Sequence, residues 1–230
     1  MTEIEYNIQK VRENIALAAQ RYGRDPQEIT LVAVSKTVGL PSIMAAYEAG
    51  INNFGENRAQ DLREKYDQIS SPINWHFIGH LQSNKVKYII DKVTLIHSLD
   101  GFSLAKEINK QAEKFKKTMD VLVQVNVAEE KSKFGLAVEE TESFIHEVSK
   151  NYPNINIKGL MTIAPYVEDP EEVRPVFAKL RDLKEKLQQK EVPRVEMKYL
   201  SMGMTNDYMC AIEEGANIVR IGTAIFGPRK

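Results

Sequence analysis

Lys36 stands at the end of the apolar run LVAVSK and is followed by Thr37. Its amine can condense with an aldehyde, and desolvation would lower its pKa and make it the nucleophile that Schiff-base chemistry needs. The same position suits a solvated charge whose stem lies along the rim of a sheet. Two later segments, LSMGMTND (200–207) and RIGTAIFG (220–227), set glycine beside serine or threonine at the end of apolar runs. Their glycines let backbone N–H groups approach an anion, and the hydroxyls of Ser201, Thr205 and Thr223 add donors, as a phosphate group requires. Tight turns that use glycine for positive φ would read the same way. Arg220 interrupts the apolar run NIVRIG and falls on the opposite face from Val219 and Ile221. Such a charge requires a partner, either a salt bridge within the fold or the ring nitrogen of a bound pyridine. An arginine would keep that nitrogen unprotonated, leaving a weaker electron sink than a carboxylate partner would.

These residues need strands that deliver them to one place. Eight short apolar runs alternate with segments of helical period: 31–36, 52–56, 74–79, 93–98, 120–127, 157–163, 197–201 and 217–222. Several are apolar throughout, as strands covered on both faces are. Helices are expected at Pro41–Ala49, Asn57–Gln68, Ser83–Ile90, Ser103–Lys117, Val138–Lys150, Pro170–Gln189 and Asn206–Glu214. An eighth opens the chain, where Ile4, Ile8, Val11 and Ile15 share one face. The pattern predicts a single-domain (β/α)8 TIM barrel with an extra N-terminal helix, which would cover the gap left by a missing helix after the last strand. A doubly wound open sheet is the alternative. In a barrel the chemistry belongs at the C-terminal strand ends, where Lys36 and the two glycine segments fall.

Composition narrows the partners. With 31 basic and 32 acidic residues the net charge is −1, so no footprint for nucleic acid or an anionic membrane stands out. The single Cys210 leaves no internal disulfide, and no apolar run approaches the ~20 residues of a membrane span. The charged opening MTEIEYNIQKVRENI is unlike a signal peptide, and a soluble cytoplasmic protein is expected. His76 and His80 are spaced four apart, but Gly79 and the strand at 74–79 break the helical face a metal site would use. His76 instead alternates with Trp75 and Phe77, which would point it into the barrel. Lys85 and Lys133 suit an anion contact or plain solvation.

Seven motifs then carry a family resemblance: VAVSKT (32–37), FGENRAQ (54–60), WHFIGHLQSNKVK (75–87), KSKFG (131–135), GLMTIAP (159–165), LSMGMTND (200–207) and VRIGTAIFG (219–227). In this order they resemble the pyridoxal 5′-phosphate (PLP)-binding homeostasis protein family, relatives of the N-terminal barrel domain of alanine racemase. The resemblance implies PLP bound as a Schiff base on Lys36, with Arg220 facing the pyridine nitrogen. It implies that Ser201, Gly203, Met204 and Thr205 contact phosphate and ring edge, that Gly222 and Thr223 form the phosphate-binding turn, and that Asn57 lies near the 3-hydroxyl. It also makes Lys133 a secondary contact or transfer point. Thr205 and Asn206 stand where many relatives have Ser and Asp, and Phe134 where a small residue is frequent. The first two changes keep a hydroxyl and a short polar group.

Alanine racemases need a second acid/base group, a tyrosine from a C-terminal β domain. This sequence runs three residues past Gly227, and a protein without that domain is expected. The resemblance therefore implies a carrier or regulator of vitamin B6 and amino-acid pools that hands PLP to apo-enzymes, with no catalytic residues and, by default, a monomer. A low-activity racemase, with Tyr166 or His76 as second base, and a class I aldolase-like enzyme acting through Lys36 remain as alternatives.

Overall fold

Eight apolar runs form eight parallel strands, because continuous Val, Ile and Leu stretches suit a sheet buried on both faces. The computed structural model describes residues 1–130 and 133–228. Helix α1 (Glu3–Arg21) precedes β1 (Thr30–Val34), α2 (Leu40–Glu48), β2 (Asn53–Glu56), α3 (Ala59–Gln68) and β3 (Asn74–Phe77). Then come β4 (Val93–Leu99), α4 (Phe102–Lys114), β5 (Met119–Gln124), α5 (Val138–Asn151) and β6 (Ile155–Met161). The chain closes with α6 (Arg174–Gln188), β7 (Val195–Ser201), α7 (Tyr208–Glu213), β8 (Ile218–Ile221) and α8 (Thr223–Phe226). The strands pair in chain order into a closed barrel, and β1 completes it by pairing with β8, Val32 opposite Arg220. This is the predicted (β/α)8 architecture.

Period-two alternation sorts the side chains. Val32, Leu95, Leu122, Met161 and Ile218 meet inside the barrel as one small apolar cluster. Ala33, Phe54, Trp75, Phe77, Val121, Val123, Val219 and Ile221 face outward into the larger core beneath the helices. Helix α1 starts at a capping box in which Glu5 N donates to Thr2 Oγ1 and Thr2 N donates to Glu5 Oε2, at 3.2 and 2.7 Å. It buries Ile8, Val11 and Ile15 and packs on α2, α7 and α8.

Two expected helices differ in detail, and one helix is unexpected. The segment after β3 is a 3-10 helix, Ser83–Tyr88, with no side-chain cap at Gln82. The long helix expected from Pro170 is a 3-10 turn, Pro170–Val173, followed by α6, because Pro175 lacks the N–H that would join them. The last strand does have a helix after it: α8 is a single turn, and Asn7 of α1 donates to Ile225 O at 3.0 Å. Helix α1 therefore packs over α8 where an empty gap was expected. Among the described residues, no helix is long and apolar enough to cross a membrane.

Candidate functional site

Lys36 follows β1 by two residues and continues the inward register of Val32, half-buried at the C-terminal mouth. The next residue, Thr37, takes φ 63°, a conformation that costs a β-branched side chain energy and that clusters at functional turns. Lys36, Gly39, Ser42, Gly222 and Thr223 line one cavity of about 570 Å³. Gly222 caps α8 and lies close to β1: a Cβ there would sit 3.3 Å from both the Val34 Cβ and its carbonyl oxygen. The lysine and the turn after β8 thus share one opening.

Arg220 points into the barrel from β8 and is buried. Its Nη1 donates to Ser201 Oγ at 2.6 Å and its Nη2 to Thr162 O at 2.8 Å. Both acceptors are neutral, and these bonds use two of the five guanidinium N–H groups. Burial pushes the Arg220 pKa down to about 10, with nearby Asp207 acting the other way, so the side chain is cationic at neutral pH. Burial pushes the Asp207 carboxyl up, while the bond from Met204 N to its Oδ1, at 2.6 Å, acts against that shift.

The turn after β7 is held from both sides. Arg220 N donates to Gly203 O at 3.0 Å. Gly203 has φ 90°, and a Cβ on it would come within 2.6 Å of the Ala211 Cβ, so glycine is required there. Met204 is exposed, and Thr205 is half-buried ahead of α7. Asn57 follows β2, half-buried. The cavity beside Lys36 brings in Gly222 and Thr223, but Asn57, Ser201, Gly203, Met204, Thr205 and Arg220 are outside its lining.

Ser201 does not open onto solvent. Its oxygen is fully buried, accepting from Arg220 and lying 2.9 Å from His97 Nδ1. His97 Nε2 lies 2.9 Å from His76 Nδ1, and His76 Nε2 lies 3.2 Å from Asn53 Oδ1. His76 points into the barrel, whereas His80 stacks on Phe134 with ring centroids 3.7 Å apart. The two histidines spaced four apart thus serve different places. Burial lowers the His76 pKa to about 4, and burial together with the charges of His76 and Arg220 puts His97 well below 6.5. Sequence reasoning missed His97, although VTLIHS alternates Leu95 with His97 on the inner face.

Two other lysines have ordinary surroundings. Lys133 Nζ lies 2.8 Å from Glu130 Oε1, and Lys85 Nζ lies 5.7 Å from the Tyr88 ring centroid. Of the motif KSKFG, Lys131 and Ser132 lie outside the described residues.

Comparison with known proteins agrees with this fold. Residues 6–230 match the family model described as alanine racemase, N-terminal domain. A protein of Aquifex aeolicus named pyridoxal phosphate homeostasis protein is 47% identical over 224 residues, covering 97% of both chains. A crystal structure from Bifidobacterium adolescentis, titled an unknown protein, superposes with TM-score 0.90 at 34% identity, over 97% of this chain and 94% of its own. PipY of Synechococcus elongatus, solved with PLP bound, superposes with TM-score 0.81 at 32% identity, over 94% of this chain and all of its own, 100%. Fold and site together define a barrel of the alanine racemase N-terminal type. Within that class, this chain belongs to the pyridoxal phosphate homeostasis protein family.

Proposed function

We propose that this protein binds PLP as a Schiff base on Lys36 and serves, as a cytoplasmic monomer, to hold and release the cofactor to apo-enzymes. The observation that carries the reading is Arg220, a buried cation whose hydrogen-bond acceptors are a hydroxyl and a peptide carbonyl. A buried charge without a bonded carboxylate is expensive. An acceptor ring nitrogen, on a ligand carrying negative charge, would offset that cost.

The residues present fit the group. The Lys36 amine would form a C=N bond to the aldehyde carbon, the aldehyde oxygen leaving as water. Gly222 and Thr223, in the same cavity as Lys36, would hold the phosphate with Gly203, Met204 and Thr205 supporting it and the ring edge, Ser201 would act from behind through its bond to Arg220, and Asn57 would approach the 3-hydroxyl. When bound, PLP supplies a carbonyl carbon that exchanges between amines, which is the chemistry a carrier needs. The names of the relatives and the PLP in PipY support PLP as the ligand.

The test is a visible absorption titration with PLP, comparing the protein with its Lys36→Ala variant, followed by borohydride reduction and peptide mapping. A new band in the wild type alone, with pyridoxyl-lysine at position 36, is expected. Equal spectra, with no modified peptide at 36, would sink the proposal and favour an aldolase-like use of the amine.

A further inference from the structure

The barrel interior holds a continuous hydrogen-bonded chain, Asn53, His76, His97, Ser201, Arg220, that runs from the start of β2 across β3, β4 and β7 to β8. Its direction follows from the atoms. Asn53 Oδ1 is an acceptor, so His76 carries its proton on Nε2. Neutral His76 then accepts at Nδ1, which requires His97 to donate from Nε2. Neutral His97 accepts at Nδ1, so the Ser201 hydroxyl proton is directed to it. That leaves the lone pairs of Ser201 Oγ for Arg220 Nη1.

We propose that His97, held by His76, is a positioning residue for Arg220: it takes the Ser201 hydroxyl proton and thereby fixes the guanidinium that faces the cofactor ring nitrogen. This rests on the PLP reading above. All four side chains from His76 to Arg220 are buried, so no solvent competes for these bonds. Burial also keeps both rings neutral, since a proton added to either one would turn an acceptor in the chain into a donor. The arginine is thus aimed by an uncharged network, and a ring nitrogen in front of it stays an acceptor.

The test has a cofactor-free part and a loaded part. In the cofactor-free protein, 15N spectra of the imidazoles at neutral pH should show His76 and His97 as neutral Nε2–H tautomers. A proton on Nδ1 of either ring would overturn the inference. With PLP labelled with 15N in its ring, His97→Leu and Ser201→Ala should bind about tenfold more weakly, as loss of one hydrogen bond in a charged network implies. Both should also shift the ring-nitrogen resonance. His97→Gln keeps one acceptor and one donor and should restore both readouts. If His97→Leu does not fold, Ser201→Ala, a loss of one oxygen, carries the comparison. A ring nitrogen that does not move in these variants, with PLP still bound, overturns the inference and leaves the PLP reading standing. A wild type that takes up no PLP removes that reading, and the inference with it, whatever the tautomers.

Discussion

Two buried polar clusters sit on opposite faces of the same sheet. Outside the barrel, beneath α3, Glu56 is fully buried and its Oε1 accepts from Lys65 Nζ and from Ser35 Oγ, both at 2.6 Å. Lys65 also donates to Ser35 O at 2.7 Å, tying down the residue before Lys36. Inside, Arg220 is as deeply placed, yet its bonds go to Ser201 and Thr162, and the chain behind it consists of neutral rings. The outer cation is hydrogen-bonded to its carboxylate, while the inner one feels the charge of nearby Asp207 but bonds only to neutral acceptors. The outer cluster is complete as it stands, apart from Glu56 Oε2, which is buried without a hydrogen-bond partner. On the proposed reading, the inner one is completed by PLP entering at the mouth. A buried carboxylate–cation pair and a buried cation on neutral acceptors are therefore expected to respond differently when the cation is removed.

The sharpest way to break this contrast is to remove one cation from each cluster. Lys65→Met leaves the Glu56 carboxylate buried and unpaired, and we expect a loss of about 3–5 kcal/mol of stability in denaturant unfolding. The affinity for PLP of the molecules that remain folded should change little. Arg220→Met should do the reverse, weakening PLP binding by about 10- to 100-fold in a titration, the worth of a hydrogen bond to a charged group. If both substitutions cost stability alone, the inner cluster is structural.

Acid sharpens the same comparison. His76 has a pKa of about 4 in the folded protein against the ordinary histidine value of 6.5. The unfolded chain therefore takes up its proton first as pH falls. The contribution of neutral His76 is fully present above 6.5 and is lost down to about 4, with His97 acting in the same direction. Each such proton steepens the fall by up to about 1.4 kcal/mol per pH unit. Melting temperature should drop over this window, and His76→Gln should flatten part of the slope. The smallest effect belongs to the surface: Glu196→Ala removes the pair with Lys158, at 2.8 Å and with Glu196 exposed, and should change stability by at most about 1 kcal/mol.

How far the sequence reveals this arrangement depends on the range of the interaction. All eight strands are legible, because a parallel barrel buries both faces of each strand and so demands apolar runs that are visible locally. Lys36 and Arg220 stand out for the same reason, as charges set against apolar neighbours. The helix expected at Ser83–Ile90 is present but as a 3-10 helix, and the single turn Thr223–Phe226 is too short for a periodic signal to report. His97 shows the limit most clearly. Its partner Ser201 is 104 residues away, and a histidine alternating with leucine reads equally well as an ordinary core residue. Only closing β4 and β7 into one barrel brings them together.

The most direct measurement is a crystal structure of the protein with PLP. The account predicts continuous density from Lys36 Nζ to the cofactor, phosphate at Gly222 and Thr223, and the ring nitrogen within hydrogen-bonding distance of Arg220. Cofactor attached instead to another lysine, such as Lys133, with Arg220 turned away from the ring, would contradict it.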